Sequence, residues 1–143
     1  MKGFLVFFGF LLALDAFGLA SAASFVDNGD QTVSDLQSGL TWDQRETTAM
    51  TWTAALSYCE NLSFAGQTDW RLPNRNELES LVDDTKTSSP TINTTYFPSA
   101  VSNFYWSSTT YALVSANAWS VDFGVGNVGN YSKTVNYYVR CVR

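Results

Sequence analysis

The chain has 143 residues, with 13 acidic and 8 basic side chains, a net charge of −5 and no histidine. An acidic surface opposes the phosphate neutralisation that drives nucleic-acid binding. The lack of histidine removes the usual general base, the commonest metal ligand and the neutral-pH switch.

Met1-Lys2, an apolar run from Phe4 to Leu19 and the small residues Ala20-Ser21-Ala22-Ala23 read as a secretory signal peptide over residues 1–22. The run is short for a membrane span, and Asp15 interrupts it; the competing reading is an uncleaved N-terminal anchor. Cleavage after Ala22 leaves residues 23–143 as one domain, long enough for a core. It removes Lys2 and Asp15 together, so the net charge is unchanged. No cysteine lies near the cleavage site, so a lipid anchor there is excluded. The expected location is secreted, periplasmic or cell surface, with no stable membrane span after cleavage.

Phe25-Val26 and Thr32-Val33-Ser34 flank Asp27-Asn28-Gly29-Asp30, a hairpin whose Asn-Gly step supplies the positive φ of a tight turn. Asp27, Asn28, Asp30 and Asp35 loosely resemble a calcium loop, but the glycine and the terminal glutamate are misplaced. They are assigned to turns. Gln37-Ser38-Gly39 turns into a strand at Leu40-Thr41-Trp42. Trp52, Ala55, Leu56, Cys59 and Leu62 then recur at helical spacing, with Thr51 as N-cap and Gly66 just beyond the end.

Cys59 falls on the buried face of that helix. Two cysteines in an exported chain pair, so a Cys59–Cys141 bond would pin the helix to the last strand. A closed loop of about 80 residues is worth roughly 4–5 kcal/mol as an upper figure. Trp70 and Leu72 suit a short extended piece that Pro73 ends. Asn74 and Glu77 form a looser capping box, and Leu78, Leu81 and Val82 are the inward face of a second helix. Asp83-Asp84 through Pro90 predicts a long surface loop reaching Phe97-Pro98.

The last third is β in character. Phe104–Ser107 and Trp119–Phe123 are strand candidates, with Trp119, Val121 and Phe123 on one face. Tyr137–Val142 closes the chain, with Val139 and Cys141 on one side. Between them, glycines and asparagines predict a bending loop over Gly124–Thr134.

The five tryptophans are assigned to packing. Arg71 and Arg140, flanked by apolar residues, call for carboxylate mates, with Asp69, Glu77 and Asp122 as candidates. The Tyr, Ser, Gly and Asn mixture of the segments 111–116 and 124–137 is that of binding loops. It nominates Tyr111, Asn127, Asn130, Tyr131, Ser132, Lys133, Asn136 and Tyr137 as ligand contacts; the plainer alternative is a connecting turn. A serine triad lacks its histidine, the cysteines are expected to be oxidised, and nothing sets two carboxylates across a cleft. The expectation is therefore no catalysis, no metal and no cofactor.

Val26-Asp27-Asn28-Gly29-Asp30, Gly39-Leu40-Thr41-Trp42, Asp69-Trp70-Arg71-Leu72-Pro73-Asn74 with Glu77-Leu78, Tyr105-Trp106-Ser107-Ser108 and Val139-Arg140-Cys141-Val142 occur in this order. With these segments the chain resembles the Lcl C-terminal domain family, named after the terminal domain of a Legionella collagen-like adhesin. Trp70, Arg71, Leu72, Pro73, Asn74 and Glu77 carry the structural motif. The resemblance implies a compact α+β domain of C-type-lectin-like fold, with two helices, a mostly antiparallel β core, long loops and one disulfide.

The adhesin that names the family binds sulfated glycosaminoglycans; the negative charge here has the wrong sign for them, and the calcium-lectin signatures Glu-Pro-Asn and Trp-Asn-Asp are absent. Trp119 to Arg143 also resembles the variable region of retroelement-diversified proteins, which share a lectin-like fold. The implied function is an exported recognition module that adheres to a surface glycan or protein. The alternatives are a structural or accessory subunit of an envelope complex and, third, a glycan hydrolase. The sequence leaves the oligomeric state open.

Overall fold

The computed structural model describes residues 24–143; the expected signal segment, residues 1–22, lies outside them. Strand β1 (Phe25–Asp27) pairs antiparallel with β2 (Thr32–Asp35), and β2 with β3 (Thr41–Asp43). Gly29 takes φ +76° in the first turn, where Asp27 Oδ1 accepts its N–H at 2.8 Å. Asp30 and Asp35 likewise accept the N–H groups of Thr32 and Gln37, so these carboxylates are consumed by local turns.

Helix α1 (Trp52–Glu60) buries Ala55 and Cys59. Leu56 and Leu62 pack beside them, although the helix itself stops before Leu62. Thr51 occupies the N-cap position without a side-chain capping bond. The anchor is Trp52 instead: its Nε1 donates to the Ser107 carbonyl at 2.8 Å. Gly66 does not end α1, which is capped at Asn61; with φ +72° it serves the separate turn between Phe64 and Gln67. Helix α2 (Arg75–Glu79) starts on a complete capping box. Asn74 Oδ1 accepts from Glu77 N–H at 2.9 Å, and Glu77 Oε2 accepts from Asn74 N–H at 2.7 Å.

The predicted surface loop after Asp83 is corrected in its second half. Ile92 and Phe97 are fully buried in the core, and Ile92 bridges to Val82. Two large apolar side chains in a polar stretch are enough to pull the segment inward.

A second antiparallel sheet has the order β4 (Phe104–Thr110), β5 (Asn117–Asp122), β6 (Asn127–Ser132). Here the loop expected over Gly124–Thr134 is overturned. The turn between Asp122 and Asn127, with Gly126 at φ +78°, and the turn at Lys133-Thr134 stay outside the strand, and the six residues between them are β6. Strand pairing runs through backbone groups, so small polar side chains hid it without preventing it.

The closing segment Tyr137–Val142 is a chain of single bridges, not a continuous strand. Tyr138 pairs parallel with Tyr105, and Val142 pairs with both Trp42 and Arg71. The chain end thereby ties the two sheets together. Val142 belongs to the cluster of Val33, Trp42, Phe97, Tyr105 and Val121. Val139 and Cys141 turn the other way, to the cluster under α1 with Trp70, Leu72 and Trp106. The Cys59–Cys141 disulfide is formed, with Cα atoms 5.5 Å apart. Two helices, two three-stranded antiparallel sheets and this bridge make an α+β domain.

The carboxylate mates proposed for the arginines are half corrected. Arg71 holds Glu77 through two 2.8 Å bonds, whereas Asp69 pairs with Arg143. Arg140 finds none of the three candidates; its partner is Glu46 at 3.0 Å. Long-range packing of the closing segment against the stretch after β3 chose that partner, and no spacing in the sequence encodes it.

Candidate functional site

Along β6 the side chains alternate between the two faces of the sheet, and this divides the nominated residues. Asn127 and Tyr131 lie on one face, where the register also sets Phe104 opposite Asp122 and Asp122 opposite Asn127. Three rings meet there. Phe104 and Tyr137 stack at 5.0 Å between centroids, and Tyr131 meets them edge-on at 4.9 and 5.4 Å. Trp106, fully buried, backs Tyr137 at 4.8 Å.

Tyr131 is 36% exposed, and Phe104 and Tyr137 are half-buried. The Tyr131 ring lies back over Gly129; a Cβ there would stand 2.7 Å from the ring. That glycine is what lets the platform close.

Polar groups rim the rings. Asp122 Oδ1 accepts the Gly124 N–H at 2.7 Å, and its other oxygen has no hydrogen bond among the described residues. Burial first, then the neighbouring Tyr131 and Asp122, push the Tyr137 hydroxyl above its ordinary range. Exposed Asn127, opposite Asp122 in the register, has no side-chain hydrogen bond among the described residues.

Tyr111 and Asn130 lie on the opposite face. Tyr111 meets Trp119 edge-on at 5.1 Å, and Asn117 donates to Asn130 Oδ1 at 3.0 Å. The Arg75 guanidinium covers the Trp119 ring at 4.3 Å. Lys133 belongs to neither group: its Nζ sits 4.0 Å from the Trp52 ring centroid and donates to Thr110 Oγ1 at 2.9 Å. Ser132 shares a hydrogen bond with Thr134, and Asn136 is exposed.

The structure therefore brings together Asn127, Tyr131 and Tyr137, and separates them from Tyr111, Asn130 and Lys133. Sequence reasoning missed Phe104 and Asp122 as site members. Both fall inside predicted strands, shorter than β4 and shifted from β5, but which residues share a face across β4, β5 and β6 needs the register, and the composition of β6 reads as a loop. Among the described residues no group of three or more His, Cys, Asp or Glu side chains could hold a metal ion. No described helix is long and apolar enough to cross a membrane.

A search of curated proteins found no match to the chain. Residues 31–143 match the family described as the Lcl C-terminal domain. The match begins beside β2 and runs through both helices, the whole second sheet and the closing Cys141 segment: the chain belongs to the Lcl C-terminal domain family.

Proposed function

We propose that this protein is an exported, non-catalytic recognition module of the adhesin type, which binds a neutral surface glycan on the platform of Phe104, Tyr131 and Tyr137. The observation that carries the reading is the three-ring cluster left partly open beside buried Trp106 and Ala118 on one face of the second sheet. Aromatic faces take the apolar face of a sugar ring, and phenol hydroxyls add a polar handle. The free Asp122 oxygen accepts sugar hydroxyls, and the Asn127 amide donates to them. The net charge of −5 disfavours a sulfated polymer and leaves a neutral saccharide as the better fit.

Family membership supports an adhesin-like role. A disulfide joining a helix to the closing segment accords with a lectin-like relation and with an oxidising compartment. On this reading the leader of residues 1–22 directs export, and within 119–143 the exposed side chains tolerate change on a constant backbone held by buried Val121, Phe123, Val139, Arg140, Cys141 and Val142. Turn chemistry, not metal, holds the acidic loop at Asp27–Asp35.

The test is capture by the purified protein on an array of glycans and surface proteins. Tyr131→Ala and Tyr137→Ala each weaken capture about tenfold, the scale of one aromatic contact. Tyr111→Ala, on the opposite face, leaves it unchanged. Equal losses in all three variants, or none, reject the platform.

A further inference from the structure

We infer that two copies of this chain pair edge to edge through β6, joining their platforms into one composite binding face; the ligand half of this inference rests on the reading above. Strand β6 ends its sheet. The direction of its backbone groups follows from its neighbours. The Trp119 and Asn117 carbonyls accept bonds from the β4 side, from Ser107 Oγ and Tyr111 N–H. On the β6 side, Lys133 N–H bonds the Ala116 carbonyl, and Ser120 Oγ reaches the Gly129 carbonyl. The ladder bonds thus fall on Ala118/Tyr131, Ser120/Gly129 and Asp122/Asn127. Val128 and Asn130 aim their N–H and C=O groups outward. None of these four groups has a hydrogen-bond partner among the described residues.

Proteins normally blunt such an edge with charge, proline, a bulge or brevity. At the rim of the other sheet, β1 is three residues long and ends on Asp27. In β6, six residues run in unbroken register with no charge and no proline. The strand is complementary to itself. In an antiparallel pair centred on Gly129, Val128 of each copy exchanges both backbone bonds with Asn130 of the other. Gly129 then faces Gly129 as a non-bonded pair at about 4.5 Å between Cα atoms, and the Tyr131 ring that lies over each glycine comes up beside its mate near the axis. A charge of −5 on each copy opposes association, but none of it lies on the strands that meet. The same register sets Val125, in the turn, opposite Lys133 of the other copy, two residues before Val135. These apolar side chains are 62% and 39% exposed in the single chain.

The two-fold axis of such a pair stands perpendicular to the sheet, so both platforms face the same way. Tyr131 falls opposite Asn127 of the second copy, and each platform gains that amide. The composite face fits an elongated saccharide with repeating units, held at two places, in preference to a single terminal sugar. Bivalent attachment strengthens capture without any new kind of contact.

Sedimentation velocity of the purified protein, without ligand, tests the pairing. The wild type has the mass of two copies at micromolar concentration. Val128→Pro and Asn130→Pro remove outward N–H groups while keeping every β5–β6 ladder bond, and both have the mass of one copy; Val128→Pro also melts lower, because Val128 packs against the core, whereas Asn130→Pro separates the copies with the smaller change in melting temperature. The double variant Asn127→Cys/Tyr131→Cys cross-links between copies under mild oxidation, whereas Asn127→Cys/Ser132→Cys does not.

On a surface coated with the captured glycan, the proline variants bind about a hundredfold more weakly than wild type. A wild type of single-copy mass at all concentrations overturns the pairing, as do proline variants that both stay paired. Paired protein that captures no glycan rejects the platform instead, and leaves the pairing standing.

Discussion

At the scale of single residues, the buried charge decides most. The Arg140 side chain is wholly buried beside Phe97 and Tyr105. Its terminal nitrogens donate to the Asp43 carbonyl at 2.8 Å and to Glu46 Oε2 at 3.0 Å. The Tyr105 hydroxyl donates to the same Glu46 oxygen at 2.6 Å and accepts from Val101 N–H. Desolvation holds that hydroxyl well above the usual phenol range, so it stays a donor at any physiological pH.

Removing Glu46 leaves the guanidinium uncompensated. Glu46→Ala should therefore cost about 3–5 kcal/mol in denaturant unfolding. Arg143→Ala, which breaks a pair with exposed Asp69, should leave the unfolding curve close to wild type by the same measurement.

Glu77 adds a pH dependence. The Arg71 guanidinium, with a smaller contribution from the Asn74 backbone, holds its carboxyl below the ordinary value. A lowered folded value contributes stability that is complete above the ordinary carboxylate range and lost as pH falls through the lowered value. The Arg71 side chain is 44% exposed, so solvent screening limits the effect to about 1 kcal/mol or less. Arg71→Met should be less stable than wild type at neutral pH, and the two unfolding curves should converge on acidification.

Among the elements, α2 was the most legible. Asn74 and Glu77 at capping-box spacing, after Pro73, mark its start, and the reciprocal bonds are present. With five residues it has little helix to lose. Asn74→Ala should cost about 0.5–2 kcal/mol by denaturant unfolding. Helix α1 was legible through Trp52, Ala55 and Cys59, but not its anchor, because the Trp52 indole reaches a carbonyl on β4. Strand β6 was not legible. In Asn127–Ser132 a period of two is masked by Gly129, whose missing side chain is replaced by the ring of Tyr131.

Across the whole molecule, the chain end is the seam between two sheets that share no strand of their own. The disulfide fixes that end to α1 over a separation of 82 residues. Reducing it, or replacing both cysteines by alanine, should lower stability by about 2–5 kcal/mol, read as a drop in melting temperature. Loss of the bridge should loosen the Tyr137 side of the platform first, because Tyr137 lies four residues before Cys141 on the segment the bridge holds.

The sequence by itself determined the hairpin at Asn28-Gly29, the helix faces, the cysteine pairing and the aromatic wealth of the last third. Each depends on chemistry within a few residues or on there being a single possible partner. Only the tertiary structure decided that Phe104, Tyr131 and Tyr137 form one surface, that Tyr111 and Asn130 lie behind it, and that Glu46 answers Arg140. Those pairings follow strand register and the route of the closing segment, which long-range packing and backbone hydrogen bonds select and local side-chain patterns do not record.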